Sequence, residues 1–511
     1  DTYNTGVGYN AGGLITTGVQ NTLIGGLAGD AITTANANTA VGYASLGLTT
    51  TGALNTAVGS SALANNTTGA SNVAMGFAAL QLNTTASNNT ALGYAALNAN
   101  TTGASNVALG FGALDANTTA ANNTAVGYNS LTTNTTGAGN AGLGMEALYT
   151  NTTGAANVGL GQQALYSNTT ASSNTAIGFQ TMYNNTTGTA NTAVGRAALV
   201  ANTEGDYNSA YGMNSLKANT EGNYNVSMGY ESLQANTTGA SNTAIGMYSG
   251  KFNTTASNNT AVGYSALNAN TTAANNTAVG RSALTANTTG ANNTALGKSA
   301  LAANTTGAYN VAVGFQALAA NTTGRNVALG ADSLVANTTG SSNCGLGDST
   351  LALNTTGAGN TAAGFNALDS NTTASNNSAF GFNALGLNTT GANNTAVGTR
   401  ALGESTTGLE NVALGVGAGE KLTTGNYNVC VGYLAGAHDV NLTTGIGNVL
   451  LGDYADTTAA DSDFATAIGY NVSGAAGYTT VGQNTSDIRA SHGVATWAAV
   501  SDQRYKKDIV D

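Results

Sequence analysis

The chain has 511 residues but no proline, a single tryptophan, 70 glycines and only 7% charged residues, which is not the composition of several globular domains. Its net charge of −11, with the few Lys and Arg scattered, excludes the clustered basic face that nucleic-acid binding needs, and no apolar run approaches the roughly 18 residues that span a membrane. Because 41% of the residues are hydrophobic, flexible disorder is also excluded, and the restricted alphabet indicates one small unit copied many times.

A glycine marks the repeat from the start of the chain. It recurs at one constant spacing from Gly8 to Gly314, comes a residue early at Gly330, and then keeps the original spacing up to Gly432. Further, unequal spacings follow and end at Gly482. We therefore predict an all-β protein, a parallel β-solenoid of about 29 coils with 17 residues per coil, over residues 1–482.

The coil at residues 89–105 serves to number the positions, with Asn89 at position 1, Gly93 at position 5 and Leu97 at position 9. Positions 1–4 alternate in polarity, which predicts a short strand that the glycine ends. Positions 6–11 predict a second strand, and Asn-Thr-Thr-Gly at positions 12–15 predicts the wider turn. Asn at positions 1 and 12 predicts side-chain amide ladders between coils. Two strands and two turns per coil indicate a flattened β-roll.

The pattern also predicts which positions face the core. We expect positions 2, 4 and 9 to face inward, with Leu97, Leu114 and Leu131 stacked on one another. Positions 3 and 8, which are nearly always small residues, would then form an outward strip that subunits bury around the axis of a homotrimer. This strip includes Ala91, Ala96, Ala108 and Ala113. The alternative is that the roll is so thin that these small residues are needed inside it.

Position 6 is aromatic in about half of the coils, for example at Tyr94, Phe111 and Tyr128, and in other coils it is charged, as at Arg196 and Lys298. A strictly inward position would not accept that mixture, so we expect these side chains to be at least partly exposed. Two hypotheses remain open for the aromatic residues. They are candidates to contact glycans, or they stack on each other as a structural ladder.

Several other signals indicate no site. The Gly-x-Gly strings lack the following helix of a dinucleotide fingerprint, and His438 and His492 are isolated, so we expect no cofactor and no metal. Cys344 and Cys430 occupy different repeat positions, so we expect both to be free thiols. The repeated Asn-Thr-Thr matches the N-glycosylation sequon, and whether these sites are glycosylated or only form turns stays open.

The repeats, such as Asn-Thr-Ala-Leu-Gly-Tyr-Ala-Ala-Leu from residue 89, resemble the head repeats of trimeric autotransporter adhesins. The resemblance covers residues 1 to about 482 and implies a left-handed parallel β-roll assembled as a trimer. This sequence departs from that family in its 17-residue coil and its Asn-Thr-Thr-Gly turn, because the adhesin repeat is shorter.

After residue 482 the repeat pattern ends, and we interpret residues 483–500 as a neck or linker in which Trp497 packs at a trimer junction. Residues 501–511 begin Ser-Asp-Gln-Arg-Tyr-Lys-Lys-Asp-Ile, which resembles the opening of the intramolecular chaperone domain of phage tail fibres and endosialidases. In that family a Ser cuts the chain just before itself, assisted by a Lys five residues on. The resemblance places these roles on Ser501 and Lys506 and makes self-cleavage a maturation step.

These observations together predict an extracellular structural fibre, a tail-fibre or adhesin shaft on a cell surface or virion, with no catalytic activity along its coils. Its expected partners are two further copies of itself and a surface glycan or host receptor. The alternative is a monomeric solenoid subunit that polymerises into an extracellular filament.

Overall fold

The computed structural model describes residues 2–484, 486–493 and 498–499, and within these ranges the chain is all-β with no helix. The chain divides into two compact units, Asp1–Asn258 and Asn259–Asp511, and each contains a parallel β-solenoid. Neighbouring coils pair in the register that the glycine spacing predicts, for example with Thr90 opposite Val107. The predicted fold class and the 17-residue period are therefore confirmed.

The first unit contains strands of three residues, each paired in parallel with the next where their pairing is described. They are β1 (Thr5–Val7), β2 (Thr22–Ile24), β3 (Thr39–Val41), β4 (Thr56–Val58), β5 (Val73–Met75), β6 (Thr90–Leu92), β7 (Val107–Leu109), β8 (Thr124–Val126), β9 (Ala141–Leu143), β10 (Val158–Leu160), β11 (Thr175–Ile177), β12 (Thr192–Val194), β13 (Ser209–Tyr211), β14 (Val226–Met228) and β15 (Thr243–Ile245).

The second unit continues with the same kind of strand and then changes near its C-terminal end. Its strands are β16 (Thr260–Val262), β17 (Thr277–Val279), β18 (Thr294–Leu296), β19 (Val311–Val313), β20 (Val327–Leu329), β21 (Cys344–Leu346), β22 (Thr361–Ala363), β23 (Ser378–Phe380), β24 (Thr395–Val397), β25 (Val412–Leu414), β26 (Val429–Val431), β27 (Val449–Leu451), β28 (Asp456–Thr457), β29 (Thr466–Tyr470), β30 (Ser473–Gly474), β31 (Tyr478–Gln483), β32 (Ser486–Ser491) and β33 (Ala498–Ala499). Strand β32 pairs antiparallel with β31 and with β33, so the parallel ladder ends at β31.

The glycine at position 5 is required for two reasons. Gly93 has a φ of 139°, which L-residues with a side chain rarely adopt, and a Cβ at this residue would lie 2.7 Å from the carbonyl carbon of Gly110 in the next coil. The backbones of adjacent coils therefore approach each other at this bend more closely than any side chain allows.

The strand predicted at positions 6–11 is absent from most of the described coils. Ala95 and Leu97, at positions 7 and 9, have φ angles of 52° and 54°, so this segment is a series of turns with left-handed residues at alternate positions. The segment still joins coils, because the N–H of Ala95 donates to the carbonyl of Phe77 (3.0 Å) in the coil before and that of Leu97 to Ala113 (2.9 Å) in the coil after. A short strand occurs here only in the last coils, where β28 pairs with β30.

The expected core is partly correct. Leu97, Leu114 and Leu131 are fully buried, as predicted for position 9. Positions 3 and 8 are also buried, and position 4, expected inside, faces outward, as Leu92 does with 46% of its surface exposed. Ala91, Ala96, Ala108 and Ala113 are completely buried within a single chain, so the prediction that they form an outward association strip is wrong. The alternative, a roll thin enough to need small residues inside, is confirmed.

Two columns of buried asparagine bind most coils to their neighbours, as predicted. At position 12, the Nδ2 of Asn100 donates to the Oδ1 of Asn83 in the preceding coil (3.0 Å) and to the carbonyl of Gly103 (2.9 Å). At position 1, the Nδ2 of Asn89 donates to the same Gly103 carbonyl (3.0 Å). Both columns are fully buried, so these amides satisfy backbone groups that no water reaches.

Candidate binding surface

The outward surface of the strands is a column of apolar side chains. Position 4 is apolar in every coil, and its exposed members in the first unit include Met75 and Leu92, with 37% and 46% of their surface exposed. In the second unit Leu296 and Phe380 are similarly exposed, at 47% and 43%. Since monomeric proteins rarely leave so continuous an apolar surface in water, this position-4 column is the strongest candidate for association in each unit.

The aromatic side chains at position 6 form a second exposed column. Ring centroids of Phe77 and Tyr94 lie 5.3 Å apart, those of Tyr94 and Phe111 5.0 Å, and those of Phe111 and Tyr128 5.4 Å, with the rings nearly parallel. Sugars stack on the faces of aromatic rings, and both faces of Tyr94 and Phe111 are already covered by neighbouring rings. The geometry therefore favours the ladder hypothesis, while about half of each side chain stays exposed.

Stacked side chains also occur at position 10, and at position 6 some of the stacks include a cation. Tyr149, Tyr166 and Tyr183, at position 10, stack with centroid distances of 5.1 Å and 4.9 Å. Where position 6 is basic in the second unit, the side chain lies over an adjacent ring, as the Nζ of Lys298 does 5.2 Å from the ring of Phe315. In the second unit, stacking between coils thus accounts for the basic residues at position 6.

The sequons of the Asn-Thr-Thr repeats lie at position 12, inside the coil. Asn100 and Asn117 are fully buried, and the Nδ2 atom that a glycan would modify donates hydrogen bonds to the ladder residue of the preceding coil and to a backbone carbonyl. The folded coil therefore does not present these nitrogens to solvent, and the Asn-Thr-Thr repeats serve as structural turns. The hydroxyl of Thr101 adds to the ladder, because it donates to the carbonyl of Thr118 (3.0 Å).

The structure does not test the remaining candidate site residues near the C-terminal end. Ser501, Lys506 and Trp497 lie outside the described residues. Cys344 and Cys430 are both free, the first half-buried and the second buried. In the part of the chain that the structure describes, no group of three or more His, Cys, Asp or Glu could hold a metal ion, and no helix is long and apolar enough to cross a membrane.

No protein-family model matches this chain, and no curated protein or solved structure matches it.

Proposed function

We propose that this chain is a structural subunit of an extracellular fibre, assembled as a homotrimer on a cell surface or virion, that attaches its carrier to a surface glycan or host receptor. The observation that carries the proposal is the position-4 column, which is apolar in every coil and exposed or partly exposed in a single chain. Burial of such a column against other copies is favourable at about 25 cal/mol per Å² of apolar surface. We assign no catalytic role to the coils.

The surface proposed to associate is the position-4 column, and not the Ala residues at positions 3 and 8 that were expected to face outward. Because Ala91 and Ala108 are buried in one chain, they are not available to a partner, whereas Leu92 is. Three copies around an axis would cover the position-4 columns and leave the polar turn residues, such as Thr102, toward water. The resemblance to trimeric adhesin heads supports three copies over two.

The mass of the assembly in solution tests this proposal. Sedimentation equilibrium should give three times the chain mass of 50.0 kDa. The triple variant Val58→Lys, Met75→Lys, Leu92→Lys places charges on three successive members of the column and should dissociate the assembly without loss of β-structure. The matched control, Thr68→Lys, Thr85→Lys, Thr102→Lys, adds the same charges at exposed position 14 and should leave the trimer intact.

Three outcomes would count against the trimer. A stable monomer would contradict it directly, and a broad distribution of masses would favour the self-polymerising filament. A trimer that the position-4 variant leaves unchanged would show that another surface holds the copies together.

We also propose that residues 501–511 begin an intramolecular chaperone, which rests on the resemblance of their sequence alone. In a gene product extended beyond this segment, N-terminal sequencing of a released fragment should start at Ser501. Ser501→Ala should keep the fragment attached, because the hydroxyl that attacks the chain is removed, and Lys506→Ala should slow release. Release that starts at another residue would exclude this assignment.

A further inference from the structure

A cleft in the second unit interrupts the regular surface of the coils. It has a volume of about 340 Å³ and is lined by residues at positions 7, 10 and 11 of four successive coils. Its lining residues are Asn366, Asp369, Asn383, Gly386, Leu387, Arg400, Gly403, Glu404, Glu420 and Lys421. Nothing in the repeat pattern predicts this cleft.

The cleft exists because position 10 is glycine in two successive coils. Gly386 and Gly403 both line it, while the coils on either side carry Asp369 and Glu420 at the same position. Neither glycine is needed for a left-handed backbone, since position 10 is Val335 in a nearby coil and Tyr149 in the first unit. The two glycines therefore remove side chains that the fold accepts, and the result is an open, polar space.

Two of the three carboxylates in the cleft form ion pairs with a described cation, and the third does not. The Nη1 of Arg400 lies 3.4 Å from the Oε1 of Glu420, and Lys421 forms an ion pair with Glu404. Asp369, at the other end, is half-buried, and no described cation pairs with it. Burial raises the pKa of this carboxyl, and no neighbouring positive charge opposes the shift. Its oxygens are therefore poorly solvated acceptors.

We propose that this cleft binds a short neutral or amine-bearing saccharide. Two amides, three carboxylates, a guanidinium and an ammonium surround the space, and Leu387 is its one large apolar side chain. Alternating donors and acceptors with little apolar surface complement a ligand with many hydroxyl groups. The lining contains one more carboxylate than cation, which disfavours acidic sugars.

The volume limits the size of the ligand. A space of about 340 Å³ lies at the low end of small-molecule sites, which fits about two sugar rings. In this arrangement Asp369 accepts hydrogen bonds from two neighbouring hydroxyls, or from an amine and a hydroxyl. Asn366 and Asn383, at position 7 of adjacent coils, donate and accept along one wall.

Titration calorimetry of the full chain with four probes tests the proposal: cellobiose, N,N′-diacetylchitobiose, glucosamine and glucuronic acid. We expect saturable binding of at least one of the first three. Gly386→Val should fill part of the cleft and weaken that binding by about tenfold or more, and Asp369→Asn should weaken it by about tenfold, as expected for loss of an ionised hydrogen-bond acceptor.

Two control variants show whether these losses of affinity come from the cleft or from any substitution at position 10. Ala319→Val adds side-chain volume at position 10 outside the cleft, and Asp115→Asn removes a half-buried carboxylate at position 10 of a coil in the first unit. Both should leave the affinity unchanged. The proposal is overturned if none of the first three probes binds, if only glucuronic acid binds, or if Gly386→Val and Ala319→Val have equal effects.

The proposal deepens the function proposed above, because it rests on attachment to a surface glycan, but the two are tested by different measurements. The assembly mass does not depend on the cleft, and the sugar affinity of the cleft is measured without reference to the number of copies.

Discussion

The main-chain N–H of Asn106 donates to the Oδ1 of Asn89, in the preceding coil, at 2.9 Å, and both side chains are completely buried. The same contact recurs between Asn72 and Asn89 at 3.0 Å. A coil of this size buries few large side chains, so its attachment to its neighbours depends on such repeated polar contacts as well as on the leucine stack.

We expect Asn89→Leu to destabilise the coils around it by about 1–3 kcal/mol, because the N–H of Asn106 loses its buried acceptor. Hydrogen exchange measured by mass spectrometry should show faster exchange in peptides that cover residues 89–122. Thr102→Ala, at an exposed position of the same coil, is the control and should leave exchange unchanged. Equal protection in both variants would mean that the ladder adds little to stability.

The position-12 ladder contains a natural interruption that predicts a stabilising change. Ser405 replaces the usual Asn, and the buried Oδ1 of Asn388 and Oγ of Ser405 have no hydrogen-bond partner among the described residues. Ser405→Asn would supply an Nδ2 that donates to Asn388 and to the Gly408 carbonyl, as in other coils. We expect a gain of about 1 kcal/mol in the free energy of unfolding, measured with urea.

Ser405→Ala is the comparison for this variant. It removes the unpaired hydroxyl but restores no ladder contact, so it should leave Asn388 unsatisfied. If Ser405→Ala stabilises the chain as much as Ser405→Asn does, the gain comes from removal of the hydroxyl and not from the ladder.

The role of the marker glycine is tested by two substitutions in one coil. Gly42 has a φ of 137°, and a Cβ at this residue would lie 2.5 Å from the carbonyl oxygen of Gly59, whereas a Cβ at Gly47 meets no atom closer than 3.3 Å. Gly42→Ala should therefore cost at least about 1–2 kcal/mol from backbone strain alone, and more from the clash. Gly47→Ala should be nearly neutral in thermal unfolding followed by circular dichroism.

The repeat register, the leucine stack and both amide ladders could be predicted from the sequence, because a fixed spacing places identical residues above one another. The direction in which the strand faces could not. In a strand, either set of alternate residues can face the core, and hydrophobicity favours the set that contains Leu92. The space inside is too small for that: a Cβ at Gly142 would lie 2.6 Å from the Oγ of Ser130 and 3.3 Å from the Cδ1 of Leu131. Where position 9 is Leu, position 3 holds a small residue, whereas the larger Leu23 and Cys430 occur in coils that carry Gly29 and Gly436 at position 9.

The turn segment was mispredicted for a related reason. Leu97 has a left-handed backbone, which costs a residue with a side chain about 1–2 kcal/mol, so no local propensity predicts it. Hydrogen bonds to the coils on both sides and the buried leucine stack impose this conformation. The cleft at Gly386 and Gly403 was missed because two glycines in successive coils look like ordinary variation at a surface position.

The last prediction concerns the buried thiol of Cys430. Burial, with the nearby charge of Asp456 adding to it, raises the pKa of this thiol from 9.0 to about 12. In the folded chain the thiol therefore keeps its proton at pH 8 and does not react, because the thiolate is the nucleophile. Iodoacetamide at pH 8 should label Cys344, which is half-buried, before Cys430, and should label Cys430 only after unfolding.

The raised pKa of Cys430 also makes the stability of the folded chain depend on pH in the alkaline range. Above about pH 9.0 the unfolded thiol loses its proton while the folded one keeps it up to about pH 12, so the unfolded state binds fewer protons and stability falls as the pH rises through this range. Cys430→Ala should reduce that loss. Alanine fits because it is the usual residue at position 3, as at Ala91 and Ala108. Labelling of native Cys430 as fast as Cys344, or an unchanged pH dependence in Cys430→Ala, would contradict this account.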